Sequence, residues 1–184
     1  LNAYTYDDKL VSIPYSFQMQ TVAGKASDVG SEMGWTVNEL IAYADAHPDA
    51  QLFDHVTKSQ IMQYLMMYNA DSFIDWSTGE CSYDSDDFKA LLQFVNRFPD
   101  EVNYDGDEVS TPNKIQQGQV LLYEMYIYDF NEIQLAEEIF QGDATMIGYP
   151  TMDGSQGHRM DAAGGVYAIF SQSSHKEGAW SFLE

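Results

Sequence analysis

Several segments of this sequence begin with a residue that can cap a helix and continue with apolar side chains at helical spacing. Thr36 with Glu39, and Thr57 with Gln60, have the separation of a reciprocal capping box. The acidic run at 84–87 supplies acceptors and negative charge for a third helix N-terminus. These signals predict helices over 37–46, 58–68 and 86–98. We expect them to pack through a shared apolar set: Leu40, Leu65, Leu91, Leu92 and Val95.

Weaker signals predict the remaining elements. Pro112 and Gly118 bound a short helix, apolar residues at helical spacing mark another over 133–140, and a last helix begins near His175. Short apolar or aromatic runs bounded by Gly, Pro or Asp predict strands at 9–13, 51–53, 119–123, 144–148 and 165–169. Helices that alternate with short strands indicate an α/β fold, with helices packed around a short mixed sheet.

The charge of the chain excludes two classes of partner. Its 29 acidic and 8 basic side chains give a formal net charge of −21. A surface of that sign repels phosphate backbones and anionic lipid headgroups, so we expect neither a nucleic acid nor a membrane surface as partner. No apolar run is long enough to span a bilayer.

The search for reactive groups predicts no catalytic residues, metal site or cofactor. Cys81 is the single cysteine and lacks cationic neighbours, so we interpret it as inert. The four histidines lack zinc-site spacing and are predicted to lie at the surface. The acidic segment DGDE at 105–108 lacks the Gly and Glu positions of a calcium loop and predicts a surface turn. Ser155 is not in a nucleophile elbow, because Asp153 occupies the position of the first glycine.

Aromatic residues near the ends of predicted strands offer a different chemistry. Tyr15 and Phe17 follow Pro14, whereas Tyr126, Tyr128 and Phe130 follow the predicted strand at 119–123. An amphipathic ring beside Asp, Asn or Gln can stack on the apolar face of a sugar while the polar neighbour binds its hydroxyls. The alternative is that these rings fill or half-cover the core.

A series of segments, taken in order, resembles the extracellular solute-binding proteins of bacterial ABC importers, especially their carbohydrate-binding branch. The segments are KLVSIPYSF at 9–17, GWTVNEL at 34–40, DWSTGECSYDS at 75–85, FKALLQF at 88–94, GQVLL at 118–122, IGYPTMDG at 147–154 and SSHKEGAWSFL at 173–183. No single motif is diagnostic, and the specificity comes from the whole series.

The resemblance implies a fold and a division of the chain. Such proteins have two α/β lobes joined by hinge strands, and this chain would be mainly the second, C-terminal lobe of a periplasmic-binding-protein-like fold. Residues 1–20 would form the strand region that crosses the hinge, 21–143 the second lobe, and 144–184 the return hinge and the start of first-lobe elements. The absence of an initiator Met and the end inside a predicted helix indicate a piece of a longer chain.

The resemblance also implies a site, partners and a location. Ligand contacts would come from Tyr15, Phe17, Gln18, Tyr126, Tyr128, Phe130, Tyr149 and Asp153. The ligand would be a small solute, a sugar or oligosaccharide, delivered to an ABC permease by a monomeric, extracellular protein anchored as a lipoprotein outside this segment. The alternative is a carbohydrate-active hydrolase domain, which would need two carboxylates about 5 Å or 6.5–9.5 Å apart across a sugar-sized groove.

Overall fold

The computed structural model describes residues 4–103 and 109–183. Its helices are α1 Ala26–Val29, α2 Val37–Ala46, α3 Lys58–Phe73, α4 Asp86–Val95, α5 Thr111–Gln116, α6 Phe130–Ile139 and α7 Lys176–Leu183. Its strands are β1 Thr5–Tyr6, β2 Lys9–Leu10, β3 Ile13–Pro14, β4 Phe17–Lys25, β5 Tyr123–Ile127, β6 Ala144–Met146, β7 Arg159–Ala162 and β8 Val166–Tyr167. The α/β class is confirmed. The turn predicted at 105–108 lies outside the described residues.

The capping signals correctly predict where α2, α3 and α4 begin, whereas α6 begins at Phe130, three residues before its predicted start. Thr36 Oγ1 accepts a hydrogen bond from the Glu39 amide at 3.1 Å, and the Glu39 carboxylate accepts one from the Thr36 amide at 2.6 Å. Thr57 and Gln60 form the same reciprocal pair at the start of α3. Unsatisfied amides at each helix N-terminus gain partners in this way, so local sequence decides the start of these helices.

Strand β4 is the centre of a four-stranded antiparallel sheet. Strand β5 pairs with it along one edge, while β7 pairs with residues 17–20 and β6 with residues 23–25 along the other. The parallel component of the predicted mixed sheet is confined to isolated bridges between Thr36 and Thr151 and between Gln51 and Val120.

The sheet separates two apolar clusters because successive side chains of β4 point to opposite faces. Val22 packs on one face with Leu122 and Tyr149 against α2, α3 and α4. Ala23 packs on the other face with Met125 against α5 and α6. A three-layer arrangement results, with the sheet between two groups of helices.

One predicted core residue is wrong. Leu92 is 44% exposed, whereas Leu40, Leu65, Leu91 and Val95 are buried as predicted. Helix α4 buries its face through four residues: Phe88, Leu91, Phe94 and Val95. Leu92 is about 100° around the helix from Leu91, which places it on the solvent side of that face.

The strand predictions are less accurate than the helix predictions. The strand predicted at 119–123 lies at Tyr123–Ile127, and the run predicted at 9–13 is divided between β2 and β3. The longest strand, β4, was not predicted, and neither was β7. Strand β4 has partners along both edges and buries the polar residues Gln20 and Thr21. Burial of polar residues between paired strands erases the apolar pattern by which a strand is predicted.

The first and last segments lie outside the two clusters. Within residues 4–103 and 109–183, strands β1 and β2 pair only with each other, and β3 pairs only with β8. Helix α7 buries none of its described side chains. No helix among the described residues has the length and apolar character needed to cross a bilayer.

Candidate ligand-binding surface

The face of the sheet that carries Val22 continues, towards the start of β4, with a group of polar side chains. In the antiparallel register Gln20 of β4 lies opposite Tyr126 of β5 on one side and Arg159 of β7 on the other. Two residues before Gln20 in β4, Gln18 lies opposite Asp161 of β7. Directly opposed residues share a face, so these five side chains form one surface, here called the polar face.

One carboxylate lies between this surface and the core. Gln20 Nε2 donates to Glu124 Oε1 at 2.9 Å, and the Tyr126 hydroxyl donates to the same oxygen at 3.2 Å. The Tyr149 hydroxyl also donates to Glu124 Oε1. Three neutral donors therefore converge on one carboxylate oxygen. Glu124 itself is half-buried and lies opposite Val22, on the same side of the sheet as the polar face.

Four tyrosines surround this carboxylate, and three of them are largely buried. The Tyr149 ring is 2% exposed and stacks on Tyr68, with ring centroids 4.6 Å apart and planes 14° apart. Burial, followed by the hydrogen bond to Glu124, raises the pKa of Tyr149 far above its ordinary value. Burial and the charge of Glu124 likewise raise the pKa of Tyr64, and burial raises the pKa of Tyr68 to about 12. These phenols remain neutral at physiological pH and can act as hydrogen-bond donors.

An ion pair lies on the polar face. Arg159 Nη2 is 3.3 Å from Asp161 Oδ2, and both side chains are partly exposed. Arg159 Nη1 also lies 2.9 Å from the sulfur of Met67 in α3. The guanidinium is therefore held between the strand and the helix, with one carboxylate as its ionic partner.

The structure brings some of the predicted contact residues together. Gln18 and Tyr126 lie on the polar face, and Tyr128 follows β5 by one residue with 59% of its side chain exposed. Phe130 begins α6 and is exposed. Tyr126 belongs to strand β5 itself, whereas the sequence placed it in the turn after a strand.

The other predicted contact residues lie elsewhere. Tyr149 belongs to the core beneath the polar face and offers only its hydroxyl to the Glu124 network. Phe17 is an odd number of positions from Gln18 and Gln20 in β4, so its side chain points to the opposite face of the sheet. The ring of Tyr15 packs on the ring of Tyr167, with the two centroids 5.3 Å apart. Asp153 accepts a hydrogen bond from the Ser155 amide at 3.0 Å within its own turn. The polar face thus lacks these residues in the described structure.

Sequence reasoning missed four residues of the site: Gln20, Glu124, Arg159 and Asp161. Their place on one face depends on the pairing of β4 with β5 and β7, and two of those strands were not predicted. The alternation of Gln18, Met19 and Gln20 was the one available signal, because a period of two is typical of a strand with one polar face.

The histidine prediction fails at His158. Its Nδ1 lies 2.7 Å from Thr21 Oγ1 in the central strand, and its Nε2 is buried without a partner among the described residues. Burial lowers the pKa of this imidazole. Among the described residues no cluster of three or more His, Cys, Asp or Glu side chains could hold a metal ion.

The fold is similar to that of several solved structures. The chain is 16% identical to the sugar-binding protein MalE from Xanthomonas citri, with a TM-score of 0.64 over 99% of this chain and 49% of that one. An extracellular solute-binding protein from Staphylococcus aureus in complex with maltose is 18% identical, with a TM-score of 0.57 over 100% of this chain and 50% of that one. Maltose-bound MalE3 from T. maritima is 16% identical, with a TM-score of 0.56 over 99% and 51%.

These likenesses establish a fold. The described residues have the fold of about half of each of these structures, and the chain spans about half of their length. No protein-family model matches the sequence, and no curated protein matches it. The predicted periplasmic-binding-protein-like fold is confirmed.

Proposed function

We propose that this chain is part of a two-lobed solute-binding protein that captures a sugar for delivery to an ABC permease. The observation that carries the proposal is the polar face, where Gln18, Gln20, Tyr126 and Glu124 lie together at one end of the sheet in a fold shared with sugar-binding proteins. In this proposal the protein works outside the cell as a monomer and is anchored as a lipoprotein through sequence beyond this segment.

The pairing of β4 supports the proposed division of the chain. Its first part, residues 17–20, pairs with β7, while its last part, residues 23–25, pairs with β6. The chain between β6 and β7 therefore passes from one end of β4 to the other. We infer that residues 1–20 belong to the hinge crossing, 21–143 to the second lobe, and 144–184 to the return hinge and first-lobe elements.

Exposed apolar residues in the outer segments support the same division. Tyr6, Phe170 and Phe182 are at least 72% exposed, and all three lie outside the two apolar clusters. Isolated exposed aromatics are ordinary, but several in segments that bury little are typical of a surface covered in a larger assembly. In the proposal, the companion lobe covers them.

The chemistry of the polar face suits a sugar. Tyr126 and Tyr128 present rings that can stack on the apolar face of a pyranose, and the amide of Gln18 can bond its hydroxyls. Solved neighbours include a maltose complex and a chitin oligosaccharide binding protein, so an oligosaccharide is the ligand class that we propose. The solved structures named here are described as binding proteins, which does not favour the hydrolase alternative.

The test compares this chain with a longer protein. Isothermal calorimetry with maltotriose and chitotriose is carried out on the 184 residues alone and on the chain joined to the flanking sequence of its gene. We expect binding by the longer protein and weak or no binding by the segment, because a two-lobed protein encloses its ligand between two surfaces. Submicromolar binding by the isolated segment would contradict the split-site proposal.

A variant then tests the proposed stacking residue. Tyr128→Ala in the longer protein should weaken sugar binding by about 1–3 kcal/mol and leave the melting temperature nearly unchanged. The control is Tyr83→Ala, which removes another exposed tyrosine, packed on Phe88 of α4. If Tyr128→Ala lowers the melting temperature by many degrees while affinity is kept, Tyr128 is a structural residue and its assignment to the site is wrong.

A further inference from the structure

The proposed sugar site has an uneven distribution of charge. We propose that Glu124 makes it a charge filter, which admits neutral and amine-bearing sugars and rejects sugars that carry carboxylate, sulfate or phosphate groups. This inference rests on the proposed function, and it names the class of sugar that the site takes.

Glu124 has no cationic partner in the described chain. The hydrogen-bond donors that reach it from Gln20, Tyr126 and Tyr149 are neutral. Among the described residues it forms no ion pair with a lysine, arginine or histidine. Neutral donors stabilise a carboxylate without cancelling its charge, so this negative charge acts on whatever occupies the polar face.

The one cation on the polar face is already paired. Arg159 is held by Asp161 at 3.3 Å and by its contact with Met67. The charges of Glu124, Asp161 and Arg159 therefore sum to −1.

The field of the whole chain acts in the same direction. With a net charge of −21 the protein repels anions before they reach the site, although salt screens that long-range part over about 8 Å at physiological ionic strength. The local charge of Glu124 is screened less, because the carboxylate is half-buried among aromatic rings. A like charge about 7 Å away in such surroundings weakens binding by about 10- to 100-fold. A sugar hydroxyl or ammonium group can instead donate a hydrogen bond to the Glu124 carboxylate, so neutral and amine-bearing sugars are not repelled.

The experiment uses sugars that differ only in charge. Maltotriose and cellotriose are each compared with their 6-amino-6-deoxy and their C6-carboxyl counterparts at pH 7, where the amine is cationic and the acid anionic. Binding to the longer protein is measured by calorimetry. The expected order of affinity is amine first, then neutral, then acid, with the acid at least tenfold weaker than its neutral parent.

Three variants locate the source of the discrimination. Glu124→Gln should reduce the difference between neutral and acidic sugars to about threefold or less. Asp161→Asn leaves the Glu124 network intact and frees Arg159, so it should also reduce the difference. The control, Glu137→Gln, makes the same change of net charge on an exposed residue of α6, on the opposite side of the sheet, and should have no effect.

Each result has a separate meaning. Equal affinity for neutral and acidic sugars in the unmodified protein overturns the charge filter but leaves the proposed function standing. An equal loss of discrimination in Glu124→Gln and Glu137→Gln assigns the effect to net charge and overturns the role of Glu124. No binding of any sugar in either series overturns the proposed function and this inference with it. Thermal melting checks that each variant is folded, and Asp161→Asn keeps the test valid if Glu124→Gln unfolds.

Discussion

Two adjacent leucines in helix α4 provide a sharp test of the packing. Leu91 is 1% exposed and lies in the apolar cluster beneath the sheet, whereas Leu92 is 44% exposed. The change from leucine to alanine is chemically identical at the two positions, and the intrinsic helix propensities of the two residue types differ little. The difference between the two variants therefore measures burial alone.

The magnitude follows from the burial of each side chain. Leu91→Ala removes three carbons from a filled core, which costs about 0.8 kcal/mol per carbon in transfer free energy, and leaves a cavity, for a total of about 2–5 kcal/mol. A loss of about 3 kcal/mol in the free energy of unfolding lowers the melting temperature of a chain of this size by about 6–12 °C. Leu92 already has nearly half of its surface in water, so Leu92→Ala should cost less than about 1 kcal/mol.

Urea denaturation followed by circular dichroism measures both values. We expect the midpoint to fall in Leu91→Ala with an unchanged slope, since an unchanged slope indicates that the same surface is exposed on unfolding. Equal losses of stability in the two variants would refute the orientation of α4. A loss below about 0.5 kcal/mol in Leu91→Ala would refute the burial of its inner face.

Three further predictions test the polar interior. Tyr149→Phe removes one donor from Glu124 and should lower the free energy of unfolding by about 1–2 kcal/mol in urea denaturation, whereas unchanged stability would show that this bond contributes nothing. Lys114→Met leaves the buried carboxylate of Asp54 without its 3.0 Å partner and should cost about 3 kcal/mol, largely recovered in the double variant with Asp54→Asn. Burial lowers the pKa of His158 in the folded state, so the unfolded chain binds more protons below about pH 6.5. Stability that is present above this pH should then be lost as the pH falls through the folded pKa, with a smaller loss between pH 7.5 and 5 in His158→Gln, and equal pH profiles would contradict the assignment.

The accuracy of the sequence predictions depends on the range of the interactions involved. The start of α2 at Val37 and the start of α3 at Lys58 are correctly predicted, because a capping box involves residues only three positions apart. The end of α3 at Phe73 lies five residues beyond the predicted end. No proline or glycine stops the helix earlier, and Asn69 continues it by bonding to Leu65 and Pro150. That last contact spans 81 positions and leaves no local signal.

The candidate site shows the same limit. Local sequence identified Tyr126 as a candidate contact, because an aromatic side chain near a predicted strand end can be recognised in isolation. Gln18 was implied only by the family resemblance. Glu124 is one of 29 acidic side chains, and nothing in the neighbouring sequence sets it apart from the others. Only the pairing of β4 with β5 places Gln20 and Tyr126 around it.

The sequence by itself determined the class of fold, the starts of α2, α3 and α4 and the sign of the surface charge, because these depend on composition and on neighbours within one turn of helix. The tertiary structure decided which face of α4 is buried, which strand is central and which carboxylate the tyrosines surround. The buried face of α4 depends on packing against another helix, as in the contact of Phe88 with Phe73 of α3. The central strand and the carboxylate network depend on contacts between residues more than a hundred positions apart, such as Gln20 with Glu124 and with Tyr149. Closing the long loops between such residues costs conformational entropy, and this cost is offset only when the whole sheet forms. No local segment therefore encodes these contacts.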